Sequence, residues 1–222
     1  GYSTHLVARE ACQTIENNDQ KKPLFLYVPF NGVHSPFQVP EKYTMAYPNL
    51  EGNRKKLAGM LAAVDEAIAQ IVASLKKTGM LENTLIVFMG DNGTAGQAAV
   101  IGRVNGQKLS GKKGTMQECG SLVPMIVNWP GMIKKPGVSN SLIDAADFIP
   151  TFAEIAGASL PANHVLDGVS FAYQLKGSKG TAREWIFTGL GKDWYVRSAN
   201  WKLMRSGDLY DMRKAPFEEK LV

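Results

Sequence analysis

Between residues 53 and 77, Leu57, Met60, Leu61, Val64, Ile68, Ile71, Val72 and Leu75 trace one apolar stripe at the period of an α-helix, and Gly79 stands where such a helix would stop. A stripe of that length cannot belong to a strand, whose faces alternate every two residues. After the turn Leu81-Glu82-Asn83 comes the apolar run Thr84-Leu85-Ile86-Val87-Phe88-Met89, which ends at Gly90-Asp91-Asn92-Gly93. Helix, turn, buried strand and polar corner predict an α/β sheet with a site at the carboxyl end of the strand.

Other segments fit that frame. Ser3 and Thr4 are candidate N-caps for a helix carrying Leu6, Val7, Ala11 and Ile15, which stops at Asn17-Asn18-Asp19. Leu24-Phe25-Leu26-Tyr27-Val28 and residues 122–129 read as further buried strands. Asp147 is placed to cap a helix through Ile155 that ends at Gly157. The stretch 93–120 is too polar and Gly-rich for a regular element, and loops of that length usually have a function. From Trp185 onward, short apolar segments separated by Gly, Asn and Asp predict an antiparallel meander. The expected architecture is a mixed, mainly parallel sheet flanked by helices over 1–180, with a small antiparallel subdomain over 181–222.

Composition narrows the function classes. The chain has 222 residues, 45% of them apolar and 20% charged, which is globular rather than disordered. Its formal charge of +5 comes from scattered lysine pairs, so no nucleic-acid tract is read. A mild positive balance suits a small anionic substrate or a sulfated polymer. No run of about 20 uninterrupted apolar residues is present, and no membrane partner is expected. Cys12 and Cys119 alone define neither a disulfide framework nor a zinc site.

Three places carry candidate chemistry. Asp91 and Asn92 offer a carboxylate and an amide oxygen, hard donors suited to calcium or magnesium, although Asp-Asn-Gly is also an ordinary turn. Lys113, between Gly111 and Gly114, could meet an anion with its ammonium and nearby backbone N–H groups, and the glycine spacing is not that of a Walker A loop. His34 follows an apolar run in the loop Pro29-Phe30-Asn31-Gly32-Val33-His34-Ser35-Pro36, and imidazole can donate to an anionic oxygen or protonate a leaving group near neutral pH. Taken singly, each residue is as well explained by a turn, a solvated lysine or a structural histidine.

Read in order, the pieces carry more. The run from Lys22 to Pro36, then Ala63-Val64-Asp65-Glu66-Ala67-Ile68, residues 81–88, Asp91-Asn92-Gly93, Gly111-Lys112-Lys113-Gly114-Thr115, Val123-Pro124-Met125-Ile126-Val127, Trp129-Pro130-Gly131, Asp147-Phe148-Ile149-Pro150-Thr151, Leu166-Asp167-Gly168-Val169-Ser170 and Asp208-Leu209-Tyr210-Asp211-Met212 resemble successive blocks of the sulfatases, in the alkaline phosphatase superfamily. The resemblance implies an arylsulfatase-like sulfuric ester hydrolase. It further implies that Asp91 and Asn92 complete a calcium site, that His34 and Lys113 contact the sulfate group, and that a formylglycine made from Cys or Ser attacks sulfur.

No Cys-x-Pro-x-Arg or Ser-x-Pro-x-Arg sequence occurs here, and the early acidic pair that would supply the other metal ligands is absent. The expectation is therefore a C-terminal portion, inactive alone, whose open sheet edge calls for an upstream segment or self-association. The substrate class expected is an aryl sulfate or a sulfated carbohydrate. Family habit implies a periplasmic or secreted location. Two other readings stay open: a phosphoester or phosphonate hydrolase of the same superfamily, and a non-catalytic remnant that serves as an interaction module.

Overall fold

A computed structural model describes residues 1–99 and 102–222. Positions 100 and 101, part of the Gly-rich stretch, lie outside the described residues. The chain divides into two compact units, 1–84 with 129–131 and 85–128 with 132–222.

The first unit is helical. It contains α1 (Ser3–Glu16), α2 (Glu41–Thr44) and α3 (Gly52–Lys77). The packed face of α3 is rotated from the stripe of large side chains: Met60, Ala63, Val64, Ala67 and Leu75 are buried, whereas Leu61 is exposed. α1 behaves alike, burying Thr4, Ala8, Ala11 and Ile15 and leaving Leu6 exposed. The shift has a steric cause, since facing alanines let two helix axes approach more closely than leucines would. Neither Ser3 nor Thr4 caps α1. The N-cap is Tyr2, and Thr4 is buried inside the first turn. At the other end of α3, Gly79 has φ +73°, and Met80 N–H reaches Leu75 O (2.9 Å) while Gly79 N–H reaches Lys76 O (3.1 Å). This pair of bonds is a Schellman stop, which a Cβ would strain. By length and composition α3 would also suffice to cross a membrane. Its buried stripe and the mid-helix Asp65 and Glu66 mark it as a core helix.

The strand expected at 24–28 does not form. Residues 24–28 carry no strand assignment, and Phe25 and Tyr27 are 77% and 79% exposed. A strand is defined by a ladder of inter-strand hydrogen bonds, so an apolar run with strand propensity does not by itself make one.

Among the described residues the second unit holds two sheets and four short helices. β1 (Ile86–Met89) pairs with β2 (Met125–Asn128), and β3 (Trp185–Leu190), β4 (Asp193–Ser198), β5 (Trp201–Met204), β6 (Leu209–Asp211) and β7 (Lys220–Leu221) form a five-stranded meander. Every described pair is antiparallel. The α/β character and the C-terminal antiparallel sheet are thus present, but a mainly parallel sheet is not found among the described residues, because each strand pairs with a neighbour that returns in the opposite direction. β1 and β2 are also less covered than expected, with Ile126 63% exposed. Two short helices, α4 (Gly96–Ala99) and α5 (Glu118–Ser121), interrupt the stretch read as wholly irregular.

Beyond β2 lie α6 (Phe148–Ala156) and α7 (Ala172–Lys176). Asp147 precedes α6, as expected, but its side chain does not cap that helix. Instead Asp144 and Asp147 form a capping box around a 3-10 turn, with Asp144 accepting from Ala146 N–H (2.9 Å) and Asp147 accepting from Asp144 N–H (2.8 Å). The buried Asp147 carboxylate also accepts from Val169 N–H (2.7 Å) and from the Arg183 guanidinium (Nε to Oδ2, 3.0 Å). Each oxygen is satisfied, which makes its burial tolerable.

Removing that carboxylate leaves Arg183 buried without its counter-charge. Asp147→Ala should destabilise the fold by about 3–5 kcal/mol, read as a lowered denaturant midpoint. At the end of β6, hydrogen bonds from the Arg213 side chain and backbone hold the Asp211 carboxyl down at about 2. A depressed carboxylate stabilises the fold above its unfolded pKa, near about 4, and that contribution is lost as pH falls toward 2. An NMR titration should find Asp211 titrating near 2, and Arg213→Ala should raise it part of the way toward the ordinary carboxylate range, because the backbone N–H at position 213 still donates to it.

Candidate functional site

The carboxyl end of β1 meets the segment 110–121 through the backbone. Gly90 N–H donates to Pro124 O (3.1 Å), Gly93 N–H to Gly120 O (3.1 Å), and Lys113 N–H to Thr94 O (2.8 Å). The approach is close enough to demand glycine. A Cβ on Gly93 would lie 2.0 Å from Cys119 O, and one on Gly120 would lie 1.9 Å from Thr115 O. The structure therefore brings the Asp91-Asn92 corner and the Lys113 loop together, as two adjoining pieces of main chain.

Within the loop, Gly111 and Gly114 take φ of +88° and +81°. Thr115 Oγ1 closes the turn by accepting from Lys112 N–H (3.2 Å) and donating to Lys112 O (2.8 Å). Lys113 and Asp91 are exposed, and no intramolecular hydrogen bond or ion pair engages either side chain among the described residues. One ammonium and one carboxylate are thus held on adjoining backbone and left to solvent.

His34 belongs to the first unit. Its loop lies against α3, where a Cβ on Gly32 would come 2.7 Å from Val64 Cγ2. His34 N–H donates to Asn31 O (2.8 Å), and its Nδ1 lies 2.7 Å from Ser35 O. A carbonyl can only accept, so this contact assigns the proton to Nδ1 and leaves Nε2 as the nitrogen able to exchange one.

Asp91 and Asn92 fit a hard cation in kind, as a carboxylate and an amide oxygen. They fall short in number. No group of three or more His, Cys, Asp or Glu side chains gathers as a metal site among the described residues, whereas calcium takes about 6–8 oxygens. The second thiol offers no substitute nucleophile. Burial pushes the Cys119 thiol up, and the charges of Glu118 and Glu219 add to the effect.

The sulfatase family model matches residues 1–158. The chain belongs to the sulfatase family. A second model, described as N-sulphoglucosamine sulphohydrolase, C-terminal, matches residues 111–222 of the same chain. Arylsulfatase J of Mus musculus is 35% identical over 168 residues, 75% of this chain and 27% of the mouse protein. Arylsulfatase A of Homo sapiens is 33% identical over 168 residues, 76% of this chain and 32% of the human protein. The crystal structure of Ps i-CgsB superimposes on the whole of this chain with a TM-score of 0.86 at 32% identity, and its complex with k-i-k-neocarrahexaose has also been solved (TM-score 0.80). The chain covers 51% of that protein, so it spans about a third of the two arylsulfatases and about half of this solved relative.

Sequence reasoning missed the residues that join the two pieces of the site. Gly93 and Gly120 were visible only as flexible positions, and the Thr94 carbonyl has no side-chain signature at all. Gly93→Ala should cost about 1–3 kcal/mol through the enforced backbone shift and should speed amide exchange at Lys113, measured by denaturation and hydrogen exchange.

Proposed function

We propose that this chain is the metal-and-anion-anchoring portion of an enzyme that hydrolyses sulfate esters. The observation that carries the proposal is the direct backbone joint between the Asp91-Asn92 corner and the Lys113 loop in a chain of this family. Lys113 offers its ammonium to the sulfuryl oxygens, whose charge grows as the S–O bond breaks. His34, protonated at Nδ1 through its contact with Ser35, uses Nε2 to hold or deliver a proton at the leaving oxygen. Asp91 and Asn92 would contribute two ligands to a divalent cation, calcium or alternatively magnesium. Such a cation would withdraw charge from the same sulfuryl oxygens. The other ligands and a formylglycine nucleophile come, in this reading, from a segment outside the chain, so the chain alone is inactive. The relative solved with k-i-k-neocarrahexaose supports a sulfated carbohydrate over a simple aryl sulfate as substrate, and the family supports a periplasmic or secreted setting.

Paired assays of nitrophenyl sulfate and nitrophenyl phosphate with the longer protein containing this chain test the reaction class. Preference for sulfate is expected, and a clear preference for phosphate would end the sulfatase reading. Lys113→Ala should lower kcat/KM by about 10²- to 10³-fold. Calcium should raise the melting temperature of the same protein, and Asp91→Ala should abolish that rise.

A further inference from the structure

The inner face of the C-terminal sheet is charged. Register places Arg197 opposite Lys202 and Lys202 opposite Tyr210, and all the charges there are satisfied by one another or by the segment 110–121. Lys202 Nζ donates to the Glu219 carboxylate and to Met116 O (3.1 Å), and lies 5.2 Å and 5.4 Å from the ring centroids of Tyr195 and Tyr210. Glu219 in turn accepts from Glu118 N–H and from Ser110 Oγ (3.2 Å). The Glu118 carboxylate pairs with Arg197 (2.8 Å). Tyr195 and Ser121 share a hydroxyl hydrogen bond, and Ser110 N–H donates to Pro216 O (2.8 Å). The side chains of Lys202 and Glu219 are only 2% and 5% exposed.

Buried charges are costly, and an apolar replacement of similar volume is often no less stable, so this pair is a poor way to hold two layers together. What it does provide is direction. Its bonds end at Ser110, Met116 and Glu118, and the Tyr195 hydroxyl adds Ser121. These points bracket the Gly111–Thr115 turn that carries Lys113. We propose that Lys202 and Glu219 are positioning residues, which fix both ends of that turn and thereby set where the Lys113 ammonium sits. The consequence for anion binding rests on the sulfatase reading above; the positioning itself does not.

The test uses the longer protein containing this chain, with inorganic sulfate as probe. In Lys202→Met, and independently in Glu219→Gln, amide exchange at Lys113 and Cys119 should speed about tenfold or more, while amides of the β3–β4 ladder keep their protection. Lys202→Arg should recover much of the protection at Lys113. Sulfate affinity, followed by the Lys113 amide shift, should fall about tenfold or more in Lys202→Met, as expected when an anchoring charge is displaced by about 1 Å. In a Lys113→Ala background, Lys202→Met should change sulfate affinity no further, because its effect passes through Lys113. Unchanged exchange at Lys113 in both variants would overturn the positioning role, as would uniform loss of protection across the sheet or additive effects on sulfate affinity. Faster exchange at Lys113 in a protein whose unmodified form does not bind sulfate would uphold the positioning role and count instead against the sulfatase reading.

Discussion

The second unit depends on a contact that contains no side chain. Where β1 ends, the main chain at Gly93 lies against the carbonyls of Cys119 and Gly120 so closely that a methyl group would overlap them. Hydrogen bonds from Gly93 and Lys113 then convert that proximity into a fixed register between corner and loop. Backbone groups are well suited to this task, since they have few alternative rotamers and must find partners once water is excluded. The Asp91 and Lys113 side chains are free to face outward because they are not needed for the joint.

The same unit uses charge where a simpler fold would use hydrocarbon. Two buried clusters, Asp147 with Arg183 and Glu219 with Lys202, tie sequence-distant segments together by directional bonds. Burial raises the Glu118 carboxyl despite the Arg197 charge beside it, which shows how dry the second cluster is. Such clusters contribute less to stability than to uniqueness, since a shifted loop would leave a charge without its partner.

Local physics explains what could be read in the sequence. Gly79 and Gly157 stop helices through bonds made within a few residues, and both stops stand where they were expected. The meander after Trp185 is legible because its turns and β-formers are local too. The failures are non-local. Leu24–Val28 has strand propensity but is not a strand among the described residues, and the direction of β1 against β2 depends on a segment over thirty positions away along the chain. Family membership was legible from the order of many weak blocks. The Asp91-Asn92 corner and Lys113 were visible as candidates, but their adjacency was not, because a carbonyl such as Thr94 O leaves no mark in composition. Lys202 was hidden for another reason: between Trp201 and Leu203 it looks like the solvent-facing member of the alternation, and it is the buried one.

That reversal extends across the sheet, with Trp185, Phe187, Trp201 and Leu203 facing outward while Lys202 and Arg197 face in. A mutational scan scored by hydrophobicity would therefore rank this sheet backwards. Polar replacements at Trp201 or Leu203 would be the tolerated ones, and trimming the lysine between them would be the damaging one.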